Sequence, residues 1–263
     1  MTTLVAFHSF RPGVGRSSLA ANVAALLALN GKRVGAVDFG DEAGGIPALF
    51  GIEAARFAQR VADYFWGRIP IEEIAIDVTG RLFPLSGAGR LVVAPRVLWR
   101  EWLAPPAPTA LDQGVFKDAL RHMTERLELD WLLIEVGAGL REETLLSVAS
   151  ADLLIELARR DAQDLQATAV MVGLAERLGA RRILLVVSQA PATASPLQLR
   201  REFEAAYRLP VATVLPLAPE LAHPQGNELL ALTQPDHPWS VAVRELAALL
   251  GRAERSSQRA APG

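Results

Sequence analysis

The sequence predicts an α/β fold, a mostly parallel, doubly wound sheet flanked by helices, and three observations predict it. Apolar runs of strand length recur along the chain and alternate with stretches of helical spacing. Within each run nearly every position is apolar, the pattern of strands covered on both faces. The first run passes through a glycine turn directly into an alanine-rich helix, the opening unit of a parallel sheet.

Thr3-Leu4-Val5-Ala6-Phe7 is the first strand, the helix after it covers 19–30, and Val34-Gly35-Ala36-Val37-Asp38 is the second strand. Residues 46–52 and 57–69 read as helical connections, the latter carrying the aromatic cluster Asp63-Tyr64-Phe65-Trp66-Gly67. Leu91-Val92-Val93-Ala94-Pro95 is a third strand, and Ala104-Pro105-Pro106-Ala107-Pro108 is a stiff loop. An amphipathic helix over 115–127 leads into the strand Trp131-Leu132-Leu133-Ile134-Glu135. Strands at 153–157, 183–187 and 211–215 and helices at 164–178 and 196–207 complete the alternation. Ligands of such sheets bind at the carboxyl ends of the strands, which gathers residues 10–18, Asp38, Glu135 and Ser188-Gln189 at one edge.

With 263 residues, 51% of them hydrophobic, the chain can bury one large core, so a single domain is expected over 1–255 with a disordered tail over 256–263. A net charge of −2 gives no global positive field for nucleic acid. The absence of cysteine excludes disulfides and cysteine-based metal sites. No charged-then-apolar leader and no run of membrane-spanning length is present, and the expected location is the cytoplasm. His8, His122, His223 and His237 show no metal-ligand spacing and read as structural.

The stretch Phe10-Arg11-Pro12-Gly13-Val14-Gly15-Arg16-Ser17-Ser18 joins the first strand to the first helix. At such a junction the helix-start N–H groups and the positive end of the helix dipole converge on an anion, and glycines let the backbone come close. The phosphate-loop pattern G-x-x-x-x-G-K-[ST] fails here at two places, because Phe10 stands at its first glycine and Arg16 at its lysine. The loop alone also reads as a turn that serves only chain reversal.

Its surroundings decide between these. The loop, Ala20-Ala21-Asn22-Val23-Ala24-Ala25-Leu26-Leu27-Ala28, Gly31-Lys32-Arg33-Val34 and the strand ending at Asp38 follow one another as in the MinD/ParA family of deviant P-loop ATPases, which the chain resembles over essentially its whole length. The resemblance implies a P-loop NTPase-like fold and a nucleotide site. Arg11 falls on the family's signature lysine, which reaches the partner subunit's nucleotide, and Arg16 falls on the second lysine. Gly13, Val14, Gly15 and Ser17 match, Ser18 follows, and Pro12 replaces a glycine. Asp38, Gln189 and Pro216 join these as nucleotide-binding candidates, Gln189 standing where the family reads adenine with an asparagine. Pro216 reads equally as a loop stiffener.

Ser17 and Glu135 are the candidate Mg2+ residues, Glu135 standing where the family holds the metal's water shell with an aspartate; a helix-capping role for Glu135 stays open. The family's D-x-D run, whose second aspartate orients the attacking water, is here Asp38-Phe39-Gly40. Asp41 and Glu42 follow, either as a shifted substitute or as a solvated acidic turn. Phosphoryl transfer is mostly positioning and charge stabilisation, so these departures weaken hydrolysis before they weaken binding.

The expected function is a nucleotide-dependent dimerisation switch with ATP or ADP and Mg2+ as cofactors and weak or absent hydrolysis. The expected assembly is a homodimer, or a heterodimer with a related ATPase. The alternative is a pseudo-ATPase scaffold that binds no nucleotide; a small-molecule kinase or ligase is a more remote third. Arg159-Arg160, Arg181-Arg182 and Arg200-Arg201 read as a DNA-facing surface or as ordinary ion pairs. The stretch 239–255 reads as a membrane-surface helix or as a helix docked on the core.

Overall fold

The apolar runs form eight described strands in one sheet, in a computed structural model that describes residues 2–40, 45–52, 64, 68–82, 89–94, 113–222 and 229–260. The strands are β1 (Thr3–His8), β2 (Arg33–Phe39), β3 (Ile76–Asp77), β4 (Arg90–Ala94), β5 (Trp131–Val136), β6 (Leu153–Ala158), β7 (Ile183–Ala190) and β8 (Val211–Pro216). Their order is β3-β4-β2-β5-β1-β6-β7-β8, parallel throughout except where β3 meets β4. The order reverses at β1, which lies between β5 and β6, and the crevice of a doubly wound sheet opens at such a reversal.

The helices are α1 (Arg16–Leu29), α2 (Gly45–Leu49), α3 (Thr79–Leu82), α4 (Gln113–Arg126), α5 (Glu142–Ser150), α6 (Ala162–Arg177), α7 (Pro196–Tyr207), α8 (Leu230–Thr233) and α9 (Pro238–Ala260). Helix α1 is alanine-rich because it is enclosed: Ala20, Ala21, Ala24, Ala25 and Ala28 are all fully buried, between the sheet and α9. Small side chains let the helix approach both neighbours closely. Leu246 and Leu250 of α9, with Trp239 and Val243, bury their apolar face in the same core, so the terminal helix docks on β8 and α1. On the opposite face of the sheet, α4 packs Phe116, Leu120 and Met123 with residues of β2, β4 and β5, while Met171 of α6 and Phe203 of α7 pack with residues of β6 and β7.

Four elements have no counterpart in the sequence reading, among them the one-turn helices α3 and α8. β3 is two residues long and carries no periodic signal. Helix α5 buries Glu143, Thr144 and Ser147 along with Val148, so its inward face is too polar to show an apolar stripe. The helical connection expected over 46–52 is the five-residue α2, after which Gly51 takes φ +68°. Helix α9 continues to Ala260, into the stretch read as a tail, whose Gln258, Arg259 and Ala260 favour helix. Asp41, Glu42, His223, the cluster positions 63 and 65–67, and the proline loop lie outside the described residues. Among the described residues no helix is long and apolar enough to cross a membrane.

Candidate functional site

From the end of β1 the chain crosses the carboxyl edge of the sheet through residues 9–15 before α1 begins. Gly13 (φ +72°) and Gly15 (φ +87°) are left-handed, a conformation that costs other residues about 1–2 kcal/mol each. Gly15 is the N-cap of α1 and supplies no capping side chain, and the first turn holds no acidic residue. The helix start therefore presents its N–H groups and positive dipole end to an anion.

Two side chains at the end of β7 brace this turn. Ser188 Oγ donates to the Val14 carbonyl and Gln189 Nε2 to the Gly13 carbonyl, each at 2.7 Å. A trans peptide points its C=O and N–H in opposite directions, so these bonds turn the Val14 and Gly15 N–H groups away from β7. Gln189, read from the sequence as a base-contacting residue, is thus tied to the phosphate-loop backbone through its amide. Only the position of Ser188 and Gln189 at a strand end signalled them; their grip on the loop spans more than 170 residues of sequence.

A cleft of about 320 Å³ opens beside the turn. It is lined by Gly13, Val14, Gly15, Arg16, Ser17 and Ser18 from the loop and the start of α1. Pro216, Leu217, Pro219, Leu221 and Trp239 add an apolar lining, and Gln189 also borders it. Of these apolar residues the sequence marks only Pro216 as a site candidate, because the others come from the turn after β8 and from α9 and carry no local motif.

Arg16 turns into the protein and is 3% exposed. Its Nε donates to Glu135 Oε1 at 3.1 Å and its Nη1 to Ser9 Oγ at 2.9 Å. The Ser17 hydroxyl donates to the same Glu135 oxygen at 2.5 Å. Asp38 and Glu135 are register partners in adjacent parallel strands, each 1% exposed. Asp38 Oδ1 accepts from the Gly40 N–H at 2.7 Å. A methyl group at Gly40 would lie 3.0 Å from Asp38 Oδ1 and 3.7 Å from Arg16 Nη2, so backbone, carboxylate and guanidinium converge there.

Arg11 stands apart from the cleft lining. Its Nη1 lies 3.2 Å from Asp161 Oδ1 and its Nε 3.5 Å from Asp164 Oδ1, both at the start of α6, where Asp161 caps the Asp164 N–H. Arg159 pairs with the same two aspartates. Asp161 is held below the ordinary carboxylate value by the Asp164 N–H; partial desolvation opposes this, and Arg159 and Arg11 add to it. A group depressed in the folded state contributes stability above its unfolded value and loses it as the pH falls through its folded value. The stability gap between wild type and Asp161→Ala in urea denaturation is therefore expected at neutral pH and to close as the pH falls below about 4.

The arginine pairs read as a DNA surface are largely engaged within the chain: Arg159 as above, Arg160 with Glu202, Arg181 with Asp152, and Arg200 with Glu204. His8 does not approach the cleft; its two ring nitrogens meet Glu156 and the Gly139 carbonyl.

No protein-family model matches the chain. It is 24% identical to an uncharacterized ATP-binding protein of Methanocaldococcus jannaschii over 98% of its own length and 91% of that protein's. It is 23% identical to an iron-sulfur cluster carrier protein of Aquifex aeolicus, over 96% of the chain and 68% of the relative. The MinD cell division protein of Aquifex aeolicus superposes with a TM-score of 0.75 at 18% identity, over 95% of this chain and 97% of that one. The chain has the fold of the MinD/ParA P-loop proteins.

Within the MinD/ParA frame two of its departures fall on one spot. Lysine to arginine at 16 and aspartate to glutamate at 135 stand as separate losses in the sequence, yet in the fold the two residues bond to each other. Ser17 and Glu135, the Mg2+ candidates of the sequence, are hydrogen-bonded to each other. The guanidinium of Arg16 stands on the same carboxylate oxygen, so a metal there meets a fixed like charge inside a buried site.

Proposed function

We propose that this MinD/ParA-type chain is a nucleotide-binding dimerisation switch that positions or regulates a partner, with weak or absent ATP hydrolysis. The observation that carries this reading is the cleft at the uncapped start of α1, where a braced glycine turn faces the loop end and apolar side chains supply the surface for a base. Gly40, where the family has its water-orienting aspartate, offers no side chain and supports impaired hydrolysis. The ATP-binding relative of similar length supports nucleotide as the ligand.

Calorimetric titration with ATP, with the oligomeric mass measured in the same samples, tests the reading. Binding accompanied by a doubled mass, with the mass change lost in Arg11→Ala, supports the switch. An unchanged mass with ATP bound removes the dimerisation step, and absence of binding removes the nucleotide. Ser188→Ala releases the Val14 carbonyl and is expected to weaken ATP binding about 3–10-fold, the effect of one hydrogen bond.

The scaffold alternative is favoured by one specific observation: both loop arginines are neutralised inside the chain, Arg11 by Asp161 and Asp164 and Arg16 by Glu135. Iron-sulfur clusters are held by cysteine thiolates, and these 263 residues contain none, so the cargo named for the Aquifex aeolicus carrier finds no thiolate here.

A further inference from the structure

Asp38 and Glu135 lie side by side at the ends of β2 and β5, as register partners of adjacent parallel strands. Neighbouring strands are about 4.8 Å apart, and two carboxylates at that spacing in a buried site ionise together only beside a cation. In this chain a cation is already built in. Arg16 enters from the first turn of α1, bonds Glu135 through Nε, and brings Nη2 to the point where Gly40 meets Asp38 Oδ1. Its remaining amino group is fixed by Ser9 Oγ, which in turn donates to the Arg11 carbonyl, so the guanidinium is tied to both ends of the loop.

A guanidinium differs from a lysine ammonium in ways that suit this place. It is planar, charged at every accessible pH, weakly hydrated, and holds several acceptors at once in fixed directions. Glutamate at 135 meets it through Oε1, the oxygen that also receives the Ser17 hydroxyl. Mg2+, by contrast, demands near-octahedral oxygen coordination and keeps most of its water, which needs room that the buried guanidinium takes up.

We infer that Arg16 is the resident cation of this site, supplying between Asp38 and Glu135 the charge a divalent metal would bring, so that a nucleoside polyphosphate is bound without metal. The inference rests on the nucleotide reading of the cleft. Arginine at the lysine position and glutamate at the aspartate position then form one compensated exchange.

The test is a calorimetric titration of the full chain with ATP in excess EDTA and again in excess magnesium chloride. The expected result is binding in both, with affinities agreeing within about threefold. The double variant Arg16→Lys/Glu135→Asp, which restores the compact ammonium and shorter carboxylate, is expected to bind at least about tenfold more tightly with magnesium than with EDTA. Wild-type binding that appears only with magnesium overturns the inference and leaves the nucleotide reading standing. Absence of binding under both conditions overturns the two together.

Discussion

Arg16→Ala is expected to lower the unfolding free energy by about 3–5 kcal/mol, the cost of removing one partner from a buried ion pair. The side chain is 3% exposed, and its loss leaves Glu135 and Asp38 adjacent, each 1% exposed, without the charge that joins them. It also removes the donor to Ser9 Oγ and so loosens the turn before α1. The effect is distinguishable from simple cavity formation by a double-mutant cycle. Glu135→Ala alone strands the guanidinium, whereas Arg16→Ala/Glu135→Ala removes both charges and is expected to recover part of the loss. A coupling of about 1–3 kcal/mol between the two sites in urea denaturation is the expected outcome. Strictly additive effects would show that the pair contributes no stability of its own.

The same pair shows where sequence reading stops. The fold was legible because its signals are local: seven of the eight strands were foreseen from apolar runs, and helix α7 was placed at its observed bounds over 196–207. Helix α5 was not seen, because its buried face is written in Glu143, Thr144 and Ser147. The loop and its glycines were legible too, since strand, turn and helix are contiguous. Side-chain partnerships across the sheet were not. Arg16 and Glu135 are 119 residues apart, and Arg11 finds Asp161 across 150. Only the sheet order, with β5 between β1 and β2, brings the first pair together. Counting motif departures one by one therefore overstates the damage, because two of them compensate each other in space.

His8→Phe is the second variant expected to have a large effect, of about 3–5 kcal/mol. His8 and Glu156 are both fully buried, with Nδ1 and Oε2 2.6 Å apart on adjacent strands β1 and β6. The other ring nitrogen, Nε2, faces the Gly139 carbonyl at 3.0 Å and must donate, since a carbonyl only accepts. The imidazole therefore fastens the loop after β5 to the strand that carries the phosphate-type turn. Phenylalanine breaks both bonds and leaves a carboxyl group inside the core. Glu156→Gln separates charge from geometry: an amide donates to Nδ1 of a neutral ring while Nε2–H keeps its carbonyl, so a cost of about 1 kcal/mol or less is expected. Hydrogen exchange provides the second readout. In His8→Phe the amides of residues 137–140 are expected to lose more protection than the amides of the other strands, whereas in Glu156→Gln they stay protected. Equal losses of stability in the two variants would mean that the charge of the pair, and not the bridge to Gly139, holds these elements together.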